Sequence, residues 1–256
     1  MVALAVLILI AGAAYYELYS SREAVITDTE RQMARLDMVF AEQTGRAVEA
    51  VDMVVVAAQE ALQAQQSPFG GLAEMLRRRI SGVRQLNAIV VYDAAGEATV
   101  STYTGQITIP HRTVMEVLAR YRQDPHLGLA ISKPFRSSDD RWNILLARPL
   151  LAADGTLIGM AGGSINLNYF EEFYRSVELN EQGAILLASR DGTVLARFPH
   201  LDQQIGSSIG GLPPFHEILA QGWSGALLTK SPVDGSARVT AVRALRGLPL
   251  VVIVSV

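Results

Sequence analysis

The chain contains no cysteine. That excludes a disulfide framework and every thiolate mechanism, and it leaves the redox compartment open. It has no surplus of positive charge: 22 Lys and Arg stand against 25 Asp and Glu, for a net charge of -3. The electrostatic footprint of a nucleic-acid binder is therefore missing. Its four histidines, His111, His126, His200 and His216, show no metal-ligand spacing. Gly222-Trp223-Ser224-Gly225 is not a nucleophile elbow. Asp139-Asp140 stands in what reads as a hairpin loop, without the further oxygen ligands of a calcium loop. Gly159 to Gly163 lacks dinucleotide spacing and falls inside a strand pattern. The chain is thus expected to be no enzyme, and no cofactor or metal is expected. Any catalytic domain would lie downstream.

What is present begins with Val2 to Tyr16, fifteen residues without a charge, with Tyr15, Tyr16 and Tyr19 clustered at the end. As a helix this run reaches about 22 Å, short of the roughly 30 Å bilayer core. The tyrosines suit a membrane-water boundary. We expect residues 1–20 to be the C-terminal part of a transmembrane helix. The competing readings are a signal peptide, with Ala11-Gly12-Ala13 as a small-x-small cleavage site, and a buried core helix. From Ala24 to Gln66, Met33, Leu36, Phe40, Ala47, Val51, Val55, Ala58 and Leu62 recur at helical spacings, interrupted at Thr44, with Thr27 or Asp28 as a cap. This predicts a long stalk helix over 21–66, and a homodimer through it. Ser67 to Gly71 breaks it, and a short helix follows from Leu72 to Ile80. That helix carries Arg77, Arg78 and Arg79, which make either an anion site or a solvated face.

The remainder reads as α+β, in two copies of one pattern. An apolar run, a turn and a strand occur at Asn87 to Thr102 and return at Gly183 to Phe198, with the turn aspartates Asp93 and Asp191 98 positions apart. A helix follows each hairpin, at Arg112 to Arg122 and Pro214 to Gln221. Then comes a strand, at Leu127 to Ser132 and Gly225 to Lys230, and a last hairpin, at Trp142 to Ile165 and Arg238 to Val256. In the first of these last hairpins the Asp154-Gly155 turn joins two strands. Gly159, Gly162 and Gly163 mark a bend or a close approach. Two tandem antiparallel sheets result.

The segments TERQMARLDMVFAEQTGRAVEAVD, ISKPFRSSDDRWNILLARPLLAADGTLIGMAGGSINLNYF, AILLASRDGTVLARFPHLDQQIG and KSPVDGSARVTAVRALRGLPLVVIVSV resemble double-Cache domains. These are the tandem PAS-like extracytoplasmic sensors of bacterial histidine kinases, diguanylate cyclases and chemoreceptors, and the resemblance covers the chain after Ser20. It implies a membrane-distal ligand-binding domain at 67–166, a connecting helix at 167–180 and a membrane-proximal domain at 181–256. It also implies a bacterial inner-membrane location, with residues after about 20 on the periplasmic side. In amino-acid-binding relatives an aspartate on the last distal strand holds the ligand amine, and the matching position here is Ser164. Those relatives carry a tyrosine after a proline, where Phe135 here follows Pro134. Both departures argue against a free amino acid.

From the residues themselves, Trp142, Ile144, Leu146 and Arg148 alternate onto one strand face. Arg148 amid apolar neighbours asks for an anion, which is either a ligand carboxylate or an internal partner. Trp142 stacks on a ligand or fills the core. His111 and Arg112 head a helix, a natural anion site, unless they are solvated. Tyr103 and Tyr121 join the same candidate pocket, with Arg136 at its rim. The expected function is sensory input: a small, anionic ligand such as a carboxylate bound in the distal domain, signalling to a cytoplasmic kinase or cyclase. The alternative is a periplasmic solute-binding or scaffold protein without an output domain.

Overall fold

The structure is a computed structural model and describes residues 2–63, 69–102, 109–176, 183–211, 215, 224–231 and 235–256. One helix, α1 (Val2–Gln63), runs for 62 residues, about 93 Å at 1.5 Å per residue. It contains no proline to break it. Its apolar stripe is buried as the spacing requires, through Met33, Phe40, Ala47, Val51, Val55 and Ala58. Thr27 and Asp28, expected as caps, lie inside it, because helical backbone already begins at Val2. Asp28 there accepts a hydrogen bond from Gln32 at 2.9 Å. Leu9, Ile10, Tyr15, Tyr16 and Tyr19 are exposed at its start. Among the described residues no helix is long and apolar enough to cross a membrane. The second helix, α2 (Phe69–Ile80), starts three residues before the expected Leu72. Glu74 pairs with both Arg77 and Arg78 at its surface, so this is a solvated face.

Two antiparallel sheets follow. The first comprises β1 (Leu86–Asp93), β2 (Ala98–Ser101), β3 (Ala130–Ile131), β4 (Phe135–Arg136), β5 (Trp142–Leu151) and β6 (Leu157–Asn166). Its order is β2-β1-β6-β5-β3, with β4 also on β5. The second comprises β7 (Ala184–Ser189), β8 (Val194–Phe198), β9 (Ser224–Lys230), β10 (Ala237–Ala244) and β11 (Leu250–Ser255), in the order β8-β7-β11-β10-β9. The two orders are the same path through equivalent strands, which is the repeat predicted from sequence. The alignment differs by two positions. Hydrogen bonds close the first turn from Gly96 to Asp93 and the second from Gly192 to Ser189, so Asp93 matches Ser189 rather than Asp191. Of the strand expected at Leu127 to Ser132 only Ala130–Ile131 pairs. The helix expected at Pro214 to Gln221 lies, apart from Phe215, outside the described residues.

Each sheet has an inner and an outer face. The inner faces pack on α1 through Ile89, Ile144, Leu146 and Ile165 of the first sheet and Ile185, Leu187, Val252 and Val254 of the second. Gly163 makes this approach possible, since a Cβ there would meet Val51 Cγ1 at 3.0 Å. Gly159 admits the β1 backbone: a Cβ would lie 2.1 Å from the Tyr92 carbonyl oxygen. The outer face of the first sheet is covered by α3 (His111–Gln123), whose Val114, Val117, Leu118 and Tyr121 pack on Val90, Tyr92, Leu145 and Ala147. The short α4 (Asn168–Arg175) joins the sheets. Its Tyr174 packs edge-on to Phe40 and hydrogen-bonds Thr44 at 3.1 Å.

Candidate ligand site

The candidate site is built where the outer face of the first sheet turns polar. Ser164 on β6 pairs with Leu145 on β5 and Ala88 on β1, so the three side chains share the outer face. Ser164 is fully buried, and its hydroxyl has no hydrogen-bond partner among the described residues. A buried hydroxyl left unpaired costs about 1–3 kcal/mol, so the position asks for a ligand or a water. Two residues along β5, on the same face, lies Asn143, also fully buried. Its amide donates to Ser137 Oγ at 2.7 Å and to the Arg141 carbonyl at 2.9 Å, and its oxygen accepts from Asn87 at 2.7 Å. Ser137 in turn donates to Asp139 at 2.5 Å. That bond, more than the Arg141 guanidinium nearby, holds the Asp139 carboxyl below the usual carboxylate range. Asn143 is thus locked, and Ser164 beside it is free.

The expected site residues fall into separate places. Ile144, Leu146 and Arg148 do share a face, but it is the inner one. Ile144 and Leu146 are buried against α1. Arg148 makes a bidentate pair with Asp52 of α1, Nε to Oδ1 at 2.7 Å and Nη2 to Oδ2 at 2.8 Å. The Asp52 hydrogen bond raises the Arg148 pKa above the ordinary value. The internal ion pair, not a ligand, satisfies this arginine. Arg112 is exposed and pairs only loosely with Glu116 at 3.6 Å. His111 is exposed beside Gly96 in the β1–β2 turn. Tyr121 is core: its hydroxyl lies within hydrogen-bond reach of the carbonyls of Gly128 and Ala147. Phe135 is core as well. Tyr103 lies outside the described residues. Of the expected residues that are described, Ser164 alone is buried with an unmet polar group on the outer face.

Trp142 and Arg136 belong to the junction between sheets. The Trp142 indole donates to Asp202 at 2.8 Å, and Arg136 bonds the same carboxylate at 2.5 Å while lying 4.7 Å over the indole ring. The indole hydrogen bond first, then Arg136, holds the Asp202 pKa below the usual value. His200 Nδ1 stands 2.8 Å from Glu171 of α4. Asp202 and Glu171 therefore tie the second sheet to the first and to the helix between them.

Sequence reasoning missed Asn143, Asn87 and Asp52. Asn143 is the one polar residue before Arg148 in WNILLAR, and Asp52 the one charge in AVDMVVVAA. Each is a signal of the kind that singled out Arg148. The register also reveals a symmetry. Arg148 lies on the rung Val91–Ala161–Arg148, and Arg243 on the rung Leu187–Val252–Arg243. These are equivalent rungs, and Arg243 too meets an aspartate of α1, Asp37, at 3.1 Å.

With this geometry in view, the comparisons with known proteins are specific. Residues 167–255 match the dCache_1_like family model, described as a histidine kinase sensor domain. The chain is similar to the extracellular domain of the candidate histidine kinase rpHK1S-Z16, at 26% identity and a TM-score of 0.79, covering 90% of this chain and 94% of that one. The ligand-binding domain of the Pseudomonas aeruginosa PAO1 amino acid chemoreceptor PctB, in complex with L-Arg, shares the fold at 16% identity, a TM-score of 0.66 and coverages of 90% and 95%. That of the Pseudomonas fluorescens chemoreceptor CtaA, in complex with L-isoleucine, shares it at 15% identity, a TM-score of 0.65 and coverages of 93% and 96%. No curated protein sequence matches the chain. The chain has a Cache-like α+β fold, and its residues 167–255 match the family model of a histidine kinase sensor domain.

Proposed function

We propose that this chain is the extracytoplasmic input module of a transmembrane receptor, and that a small ligand binds on the outer face of the first, membrane-distal sheet at Ser164. The observation that carries this is the fully buried, unpartnered Ser164 hydroxyl beside the locked Asn143 amide. The sequence that follows β2, Tyr103 to Thr108, has no charged residue. Arg148, Arg112 and Arg136, on which an anionic ligand had rested, are exposed or engaged elsewhere. The ligand group meeting Ser164 is therefore uncharged and hydrogen-bonding. Among the proteins of similar fold, PctB and CtaA are seen in complex with small solutes, L-Arg and L-isoleucine.

The exposed apolar start of α1 supports a location at the inner membrane, with the sheets in the periplasm. Exposed Val25, Val39 and Met53 recur every fourteen residues, two heptads, along α1, a seam along which two copies pair. The output is a histidine kinase or a cyclase domain beyond Val256. A thermal-shift screen of neutral polar metabolites, acids and amines against the full chain tests the ligand site. Hits that depend on Ser164 are expected among neutral compounds, and Ser164→Val is expected to weaken them about tenfold. A screen without a neutral hit, or a neutral hit whose affinity Ser164→Val leaves unchanged, removes this reading.

A further inference from the structure

The second sheet holds a buried cation with no counter-charge among the described residues. Arg197 on β8 pairs with Leu186 on β7, and Leu186 with Ile253 on β11. Its side chain therefore lies on the outer face, the face opposite α1, with Leu186, Val242, Ile253 and Phe215. Arg197 is 8% exposed. A guanidinium carries five N–H donors, and among the described residues one bond is made, to the Pro199 carbonyl. No carboxylate pairs with it among the described residues. Every other buried or half-buried arginine described above has one: Arg148 has Asp52, Arg243 has Asp37 and Arg136 has Asp202. Burial first, and the charge of Arg238 second, push the Arg197 pKa below the ordinary arginine value. On the adjoining rows stand hydroxyls joined in a ladder, Thr229 to Thr240 at 2.9 Å and Thr240 to Ser255 at 3.2 Å.

We infer that Arg197 is the floor of a second binding site, which takes a small organic carboxylate on the outer face of the C-terminal sheet. Taking a charge out of water is costly unless an opposite charge meets it. A carboxylate matches the unused edge of the guanidinium in bidentate contact. The neighbours Leu186, Val242, Ile253 and Phe215 suit a short aliphatic body behind that carboxylate. The site is independent of the one at Ser164, since it lies on a different sheet and recognises the opposite kind of group.

The test uses the full chain with butyrate as the probe, at ionic strength held constant with chloride. Two readouts are followed: the thermal midpoint and the NMR signal of the Arg197 Nε–H, assigned by its absence in Arg197→Lys. Butyrate is expected to raise the midpoint and to shift that signal. Arg197→Met is expected to lose at least about tenfold in butyrate affinity. Without butyrate it is expected to melt above the wild type, because it removes an uncompensated buried charge. An Arg197 signal that butyrate does not move overturns the proposal, whether or not the Met variant folds. So does an Arg197→Met protein that keeps its butyrate affinity. Arg197→Met melting below the wild type without butyrate also overturns it, since the arginine would then serve only to hold the Pro199 carbonyl.

Discussion

At the scale of single residues, the charged groups decide the reading. Alternation along WNILLAR correctly puts Ile144, Leu146 and Arg148 on one face. It cannot say what covers that face, because the period of a strand is set by its own backbone and its cover comes from elsewhere in the chain. The cover is α1, and Asp52 on it takes the arginine. Ser164 was legible through its place in the motif. Asn143 and Asn87 were not, because their roles arise from a long-range bond between two strands. Asp37 is the residue with a pH signature. It is 1% exposed, one of its oxygens is unpaired, and burial outweighs Arg243 to push its pKa up to about 7. An unfolded aspartate titrates near 3.9. Between about pH 4 and pH 7 the folded state thus holds a proton that the unfolded chain has released. Stability from this group is greatest in acid and falls as pH rises through that window. Asp37→Asn should flatten that part of the thermal midpoint against pH. An unchanged slope would mean that Arg243 keeps Asp37 ionised.

At the scale of elements, hairpins and long helices were the legible parts. Asp154-Gly155 and the apolar runs around it locate β5 and β6 to within two residues. The strands β3 and β4, two residues each, were not legible as such. A two-residue strand has no period to read, and only pairing with β5 defines it. The Arg148–Asp52 pair joins an element to a sheet, with side chains 27% and 18% exposed. It therefore falls between exposed pairs, worth about 0–1 kcal/mol, and buried ones, whose breaking costs about 3–5 kcal/mol. Arg148→Ala and Asp52→Ala should each cost about 1–3 kcal/mol in denaturant unfolding. The double variant should cost less than their sum. Strict additivity would show that the pair does not couple α1 to the sheet.

At the scale of the whole molecule, the tandem repeat was legible because both copies keep one order of elements, while the junction between them was not. Trp142, Arg136 and Asp202 come together only because the β4–β5 loop of one sheet reaches the turn after β8 in the other. Asp202→Ala should shift the Trp142 indole N–H signal in NMR and speed hydrogen exchange along β4, with little change in melting, because the carboxylate is exposed. An indole signal that stays in place would mean that the two sheets do not meet there in solution. The equivalent aspartates have a mechanical meaning beyond stability. Apolar packing is non-directional and tolerates sliding. The Asp37 and Asp52 contacts do not, and they act as two pins about 22 Å apart on one rod. A rod pinned twice is a strut. If the weaker Asp37 pin lets go, the same rod becomes a lever with its fulcrum at Asp52. By the ratio of arm lengths along a helix of uniform rise, a movement of about 1 Å at Asp37 would then become roughly 3 Å at the far N-terminal end.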